Sequence, residues 1–189
     1  IIWDSQGSSN GPNGSGAIAV GTTASRTTKT LTVSSQLPWQ ATQLDVQAGD
    51  TLIISASGTI IWDSQGSSNG PNGSGAMATL NLSGTCGYLL CGSSVAAKSL
   101  VGRIGSSALT DFTTGFVAGA SYTAVATTSG RLYLGFNDGF VRPDRTGLDA
   151  GGVADNSGSF SSTETAARPA SCGYLLCGSS VAAKSLVGR

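Results

Sequence analysis

The chain has 189 residues, with ten Lys and Arg against ten Asp and Glu, no His, and only 11% charged residues. That balance leaves no basic face for nucleic acid or an anionic membrane, and no apolar run nears the roughly 20 residues that cross a bilayer. Without His, the Ser-His-Asp and Cys-His schemes and any His-ligated metal are excluded, so a soluble, non-enzymatic chain with neither nucleic-acid nor membrane partners is expected.

In chain order, the first feature is a duplication. IIWDSQGSSNGPNGSGA at 1–17 returns unchanged at 60–76, and CGYLLCGSSVAAKSLVGR at 86–103 returns at 172–189. Repeats of solenoids and propellers drift in sequence while keeping a steady period. These copies are identical, and the sequence between them has no second copy. The terminal copies therefore read as redundant sequence, set aside before reasoning about the fold. The expected organisation is an N-terminal extension 1–28, a domain 29–165 and a C-terminal extension 166–189. The alternative is that the terminal copies are spare strands that exchange with their internal twins, giving a strand-swapped assembly or other homo-oligomer. Met77 is the sole Met, so the sequence reads as a mature product, a fragment, or a sequence read from protein.

Seven runs then read as strands. Lys29 to Ser34, Gln43 to Val46, Thr51 to Ser57, Lys98 to Ile104, Ser121 to Ala126, Arg131 to Phe136 and Gly158 to Thr163 are short, rich in β-branched or aromatic residues, and partly alternating. Between them fall turn signals such as Ala48-Gly49-Asp50, Asn69-Gly70-Pro71-Asn72-Gly73, Ser129-Gly130 and Asn137-Asp138-Gly139. Strands at this spacing predict an all-β sandwich. Ser93 to Leu100 is the one helix-compatible run, where a Ser could cap a short turn.

Cys86 and Cys91 enclose four residues, and Cys172 and Cys177 repeat the arrangement. With no His, a zinc site would need all four thiolates, so a local disulfide within each pair is the simpler reading. A loop this small removes little chain entropy on closure and so shapes a turn. Disulfides imply an oxidising, extracellular or secreted setting.

The side chains carry little catalytic chemistry. A glycosidase needs two carboxylates in contrasting environments, whereas Glu164 is the lone Glu, in a polar tail, and several Asp residues share one loop. That loop, 137–156, is bracketed by Asn137-Asp138 and Asp155-Asn156 and is rich in Gly. Carboxylates, amide oxygens and inward-turned carbonyls suit Ca²⁺, which takes six to eight oxygen ligands. Asp, Asn and Gly are equally ordinary turn formers.

Five motifs together resemble a known family. WQATQLDVQAGDTLIISASGTIIW (39–62), the C-x4-C pair, SLVGRIG (99–105), RLYLGFND (131–138) and DNSGSF (155–160) are similar to the PA-IL-like, or LecA-like, calcium-dependent galactose-binding lectins and related carbohydrate-binding modules. The resemblance spans about residues 29 to 163 and implies a small jelly-roll-type β-sandwich. It also implies a Ca²⁺ site formed by the carbonyl of Trp62, the carboxylate of Asp138, a loop carbonyl near Gly152, and the side chains of Asp155 and Asn156. Vicinal hydroxyls of a galactose-type sugar would complete the shell, so Asp138, Asp155 and Asn156 also belong to the sugar site.

The chain departs from that pattern in three ways. Asp155 stands where the lectin carries Asn, which makes the site more anionic. The family's sugar-contacting His is missing, and Gln65, Asn69 and Asn72 are the polar substitutes. The stretch between Asp138 and Asp155 is longer than in the family and brings Phe140, Arg142, Asp144, Arg145 and Asp149 to the rim. The implied function is that of a calcium-dependent lectin with carbohydrate as its partner. The alternative is an extracellular structural, adhesive or filament-forming module in which Ca²⁺ only staples a loop.

Overall fold

A computed structural model describes residues 23–80, 84, 86–139 and 152–170. The terminal copies at 1–17 and 172–189, with Cys172 and Cys177, and the rim residues Phe140, Arg142, Asp144, Arg145 and Asp149 lie outside the described residues. The larger compact unit is Arg26–Arg168.

Among the described residues the chain is all β, with no α-helix. The strands are β1 (Ser25–Ser34), β2 (Gln40–Val46), β3 (Thr51–Ile61), β4 (Ser68–Asn69), β5 (Leu100–Ile104), β6 (Phe116–Val117), β7 (Ser121–Val125), β8 (Gly130–Phe136) and β9 (Ser157–Arg168). One sheet runs β1-β9-β3-β4, with β7 also paired to β3, and the other runs β2-β8-β5-β6. β3 lies antiparallel to β4, β7 and β9, and β8 antiparallel to β2 and β5.

Period-two alternation explains why these runs pack as two layers. On β3, Leu52, Ile54, Ala56 and Ile60 are buried while Ser55 and Ser57 are exposed; on β2 and β8, Leu44, Val46, Leu132, Leu134 and Phe136 are buried opposite them. Burying one such side chain is worth about 1.5–3 kcal/mol. Phe136 and Phe160, one from each sheet, meet edge to face with ring centroids 5.9 Å apart. They join the layers at the end where β8 stops and β9 starts.

Several boundaries differ from the sequence expectation. β3 continues past Ser57 to Ile61 because Gly58, at φ +112°, lets β9 press close: a Cβ there would lie 2.6 Å from the Ser159 carbonyl oxygen. β9 extends to Arg168 along the whole of β3, which carries the supposedly polar Glu164 into the interior, fully buried. β5 starts at Leu100, since Lys98 sits at φ +61° and breaks the extended run. β4 and β6 have two residues each, too few to show alternation. The run from Ser93 is turns and bends up to Ser99, with Ala96 bridging Met77, and Leu100 opens β5. No helix among the described residues is long and apolar enough to cross a membrane.

Candidate functional site

The loop-bracketing residues converge at one end of the sandwich. β8 delivers Asn137 and Asp138 from one sheet, and the segment entering β9 delivers Asn156 from the other; all three are buried. The Asp138 Oδ2 accepts a hydrogen bond from the Asn156 side-chain amide at 2.9 Å, and its Oδ1 accepts one from the Gly139 amide at 2.6 Å. The Asn156 amide also donates to the Ser35 carbonyl at 3.1 Å, and Gln36 donates to the Asn156 carbonyl at 2.8 Å. The turn after β1 thus fixes Asn156. Its Oδ1 is buried and has no hydrogen-bond partner among the described residues.

Asn137 does different work from its neighbour. Its side chain accepts from the Leu90 amide at 3.0 Å and donates to the carbonyls of Leu90 at 3.0 Å and Ala96 at 3.2 Å. The Asn137 amide is therefore committed to clamping the 86–97 loop, which the Cys86–Cys91 disulfide also closes. Backbone bonds from Lys98 to the Asn137 carbonyl and from Asn137 to the Ser99 carbonyl, both 2.8 Å, extend the β5–β8 pairing to the site.

Lys98 is the residue that motif reading overlooks. Its ammonium forms an ion pair with the Asp138 Oδ1 and stands 4.6 Å from the centroid of the Trp62 ring. Both ends of the pair are largely buried, the side chains being 15% and 4% exposed. Trp62, just past β3, has a buried indole N–H without a partner among the described residues. Tyr88, from within the disulfide loop, is near enough to be affected: burial, and secondarily the Asp138 charge, push its phenol up from the usual range.

The other sequence candidates lie at varying distance from this centre. Asn69 donates from its side chain to the carbonyls of Gly70 and Lys98, each at 2.7 Å, and so pins the backbone of the ammonium-bearing residue. Gln65 is exposed and donates to the Ser64 hydroxyl at 2.9 Å. Asn72 turns the other way, its Oδ1 accepting from the Ala120 amide at 2.8 Å. Gly152 and Asp155 are exposed in the turn leading to Asn156.

Asp138, the unpartnered Oδ1 of Asn156 and the adjoining Asp155 are hard-oxygen donors of the kind calcium takes. No cluster of three Cys, Asp or Glu gathers among the described residues. A divalent ion here would depend on amide and backbone oxygens as much as on carboxylates, and it would meet an ammonium already against Asp138.

Two other features stand apart. A cavity of about 200 Å³, lined by Arg103, Phe116 and Tyr122 among others, lies toward the opposite end of β5 and β8, since Leu100 pairs with Phe136 but Ile104 with Leu132. Its Arg103 is neutralised by Asp111 at 2.6 Å. Burial would raise the Asp111 pKa, but the Thr114 and Thr113 amides and the Arg103 charge outweigh it and hold the group at about 2. Glu164 faces the core from β9, hydrogen-bonded to Ser162, and burial raises its pKa.

No protein-family model matches the chain, and no curated protein does. Among solved structures that match is the EclA N-terminal domain, described as a PllA-like lectin, at 20% identity over 73% of this chain and 95% of that one, with a TM-score of 0.46.

Proposed function

We propose that this β-sandwich is a calcium-dependent carbohydrate-binding module whose site is the corner formed by Asp138, Asn156 and Asp155. The observation that carries the reading is a buried carboxylate hydrogen-bonded by the Asn156 amide nitrogen, while the oxygen of that same amide is buried and unpartnered among the described residues. An unsatisfied buried acceptor costs about 1–3 kcal/mol, and a bound cation relieves that cost.

Asp138 and Asp155 would supply charge, Asn156 Oδ1 and the carbonyls of Trp62 and the turn at Gly152 neutral oxygens, and the ion would hold two adjacent sugar hydroxyls in place of water. The protein's own part is orientation. Ser35 and Gln36 fix Asn156, Gly139 fixes Asp138, and Asn69, beside Lys98, lies within the same corner. A galactose-type sugar is favoured by the sequence resemblance, and an extracellular setting by the same resemblance and by the Cys86–Cys91 disulfide.

Retention on a galactose resin tests the reading. Wild type is expected to bind in calcium and elute with EDTA, while Asp138→Asn, with an unchanged circular dichroism spectrum, flows through. Binding that survives EDTA, or survives in Asp138→Asn, removes calcium from the account. A second reading, an extracellular structural module in which calcium only staples the loop, is favoured by Asn72, a candidate sugar contact whose Oδ1 is committed to the Ala120 amide. It gains if calcium raises Tm and no sugar adds to the shift.

A further inference from the structure

We infer that Lys98 is a tethered counter-cation that competes with the divalent ion for Asp138 and so sets the affinity of this site for calcium and, through it, for a sugar diol. The inference rests on the calcium reading above and concerns this chain's own residue.

Three independent observations converge on Lys98. Its ammonium pairs with the Asp138 Oδ1, one of the oxygens assigned to the metal, and both partners are largely buried. The same ammonium stands 4.6 Å from the Trp62 ring centroid, where the ring's π face attracts a cation. Its backbone adopts φ +61°, a conformation a side-chain-bearing residue rarely takes, and it is held there by bonds from its amide to the Asn137 carbonyl and from Asn69 to its own carbonyl. Strain of this kind persists only where surrounding structure fixes it. Here that structure aims a four-carbon arm at the carboxylate.

Charge arithmetic gives the consequence. Among the described residues assigned to the site, Asp138 and Asp155 bring two negative charges and Lys98 one positive charge, leaving a net of one negative for a divalent ion. A calcium ion beside Asp138 would share that carboxylate with an ammonium in a partly buried site, where like charges repel more strongly than in water. Oδ1 already accepts from the Lys98 ammonium and the Gly139 amide, and Oδ2 from the Asn156 amide, so an ion at Asp138 competes with these donors. The lysine stem is flexible, so its ammonium is the competitor that can swing out to solvent as calcium binds. Asn69 and Asn137 hold only the Lys98 backbone, which permits that movement without unfolding the loop.

The test compares the full chain with Lys98→Met and Lys98→Gly, the latter suited to φ +61° should Met disturb the turn. Calcium affinity is measured by calorimetry, and terbium luminescence sensitised by Trp62 gives a second, spectroscopic readout. The expected result is at least tenfold tighter calcium and terbium binding in both variants. Without metal, both should melt lower than wild type, because Asp138 loses its counter-ion, and calcium should raise their Tm by more than it raises that of wild type. Equal affinities, or weaker binding in the variants, overturn the inference and leave the calcium reading standing. No calcium or terbium binding by any of the three proteins overturns both.

Discussion

At the residue scale, two buried carboxylates give opposite dependences on pH. Asp50 accepts hydrogen bonds from Nε and Nη2 of Arg168, at 2.9 and 3.0 Å, and from the Gln47 amide at 2.9 Å. The Arg168 bonds, outweighing burial, hold its pKa below the usual carboxylate value of 3.8. The stability this contributes is present above 3.8 and is lost as pH falls through the lower folded value. Hydrogen bonds to a charged group are worth about 1.5–3 kcal/mol. Asp50→Asn is therefore expected to cost about 2 kcal/mol in urea unfolding at pH 7 and to flatten the acid limb of the stability profile. An unchanged acid limb would mean that this pair does not link β9 to the turn before β3.

Glu164 works the other way. It is fully buried, and burial raises its pKa above the usual 4.5. The folded chain keeps this proton to higher pH than the unfolded chain, so the contribution is complete below 4.5 and disappears as pH rises through the folded value. Tm should decline across that window in wild type, and Glu164→Gln should remove the decline. A decline that persists in the variant would assign it to another group.

At the element scale, β3 and β9 are held by glycine as much as by apolar alternation. Gly58 has φ +112° and only 2.6 Å between an added Cβ and the Ser159 carbonyl oxygen, both prohibitive for a side chain. Gly58→Ala is expected to lose at least about 2 kcal/mol, measured by chemical denaturation. A loss well below that would show that the pairing can slide at no cost. Asn137 is the corresponding lock on the disulfide loop. Asn137→Ala should cost about 2 kcal/mol and speed hydrogen exchange at the Leu90 amide, which it caps at 3.0 Å. Unaltered exchange would contradict the clamp.

These elements also show where sequence suffices. Leu52, Ile54 and Ala56 alternate with exposed or half-buried neighbours, so β3 can be located from residue type alone. Its last four residues cannot, because Gly58 reads as a break until β9 is seen lying against it. Glu164 reads as polar surface because nothing local shows that β9 pairs with the whole of β3. Asp138 and Asn156 are visible as a pair of oxygen-bearing residues flanking one loop. Lys98 is not, since in the run KSLVGRI it looks like a strand residue. Its role arises from contacts with Trp62 and Asp138, 36 and 40 positions away in sequence.

At the scale of the whole molecule, the two sheets bring chain segments from five places to one corner: Ser35, Trp62, Lys98, Asp138 and Asn156. All of them lie inside the compact unit Arg26–Arg168. This is the corner proposed to take calcium and, through calcium, a sugar. Thermal unfolding of the full chain in EDTA, in excess calcium, and in calcium with galactosides, mannosides or uronic acids tests it most directly, since a ligand of the folded state alone raises Tm by mass action. The expected result is a calcium shift that Asp138→Asn abolishes, and a further shift with the galactoside. No calcium shift in wild type, or an equal shift in Asp138→Asn, would contradict it.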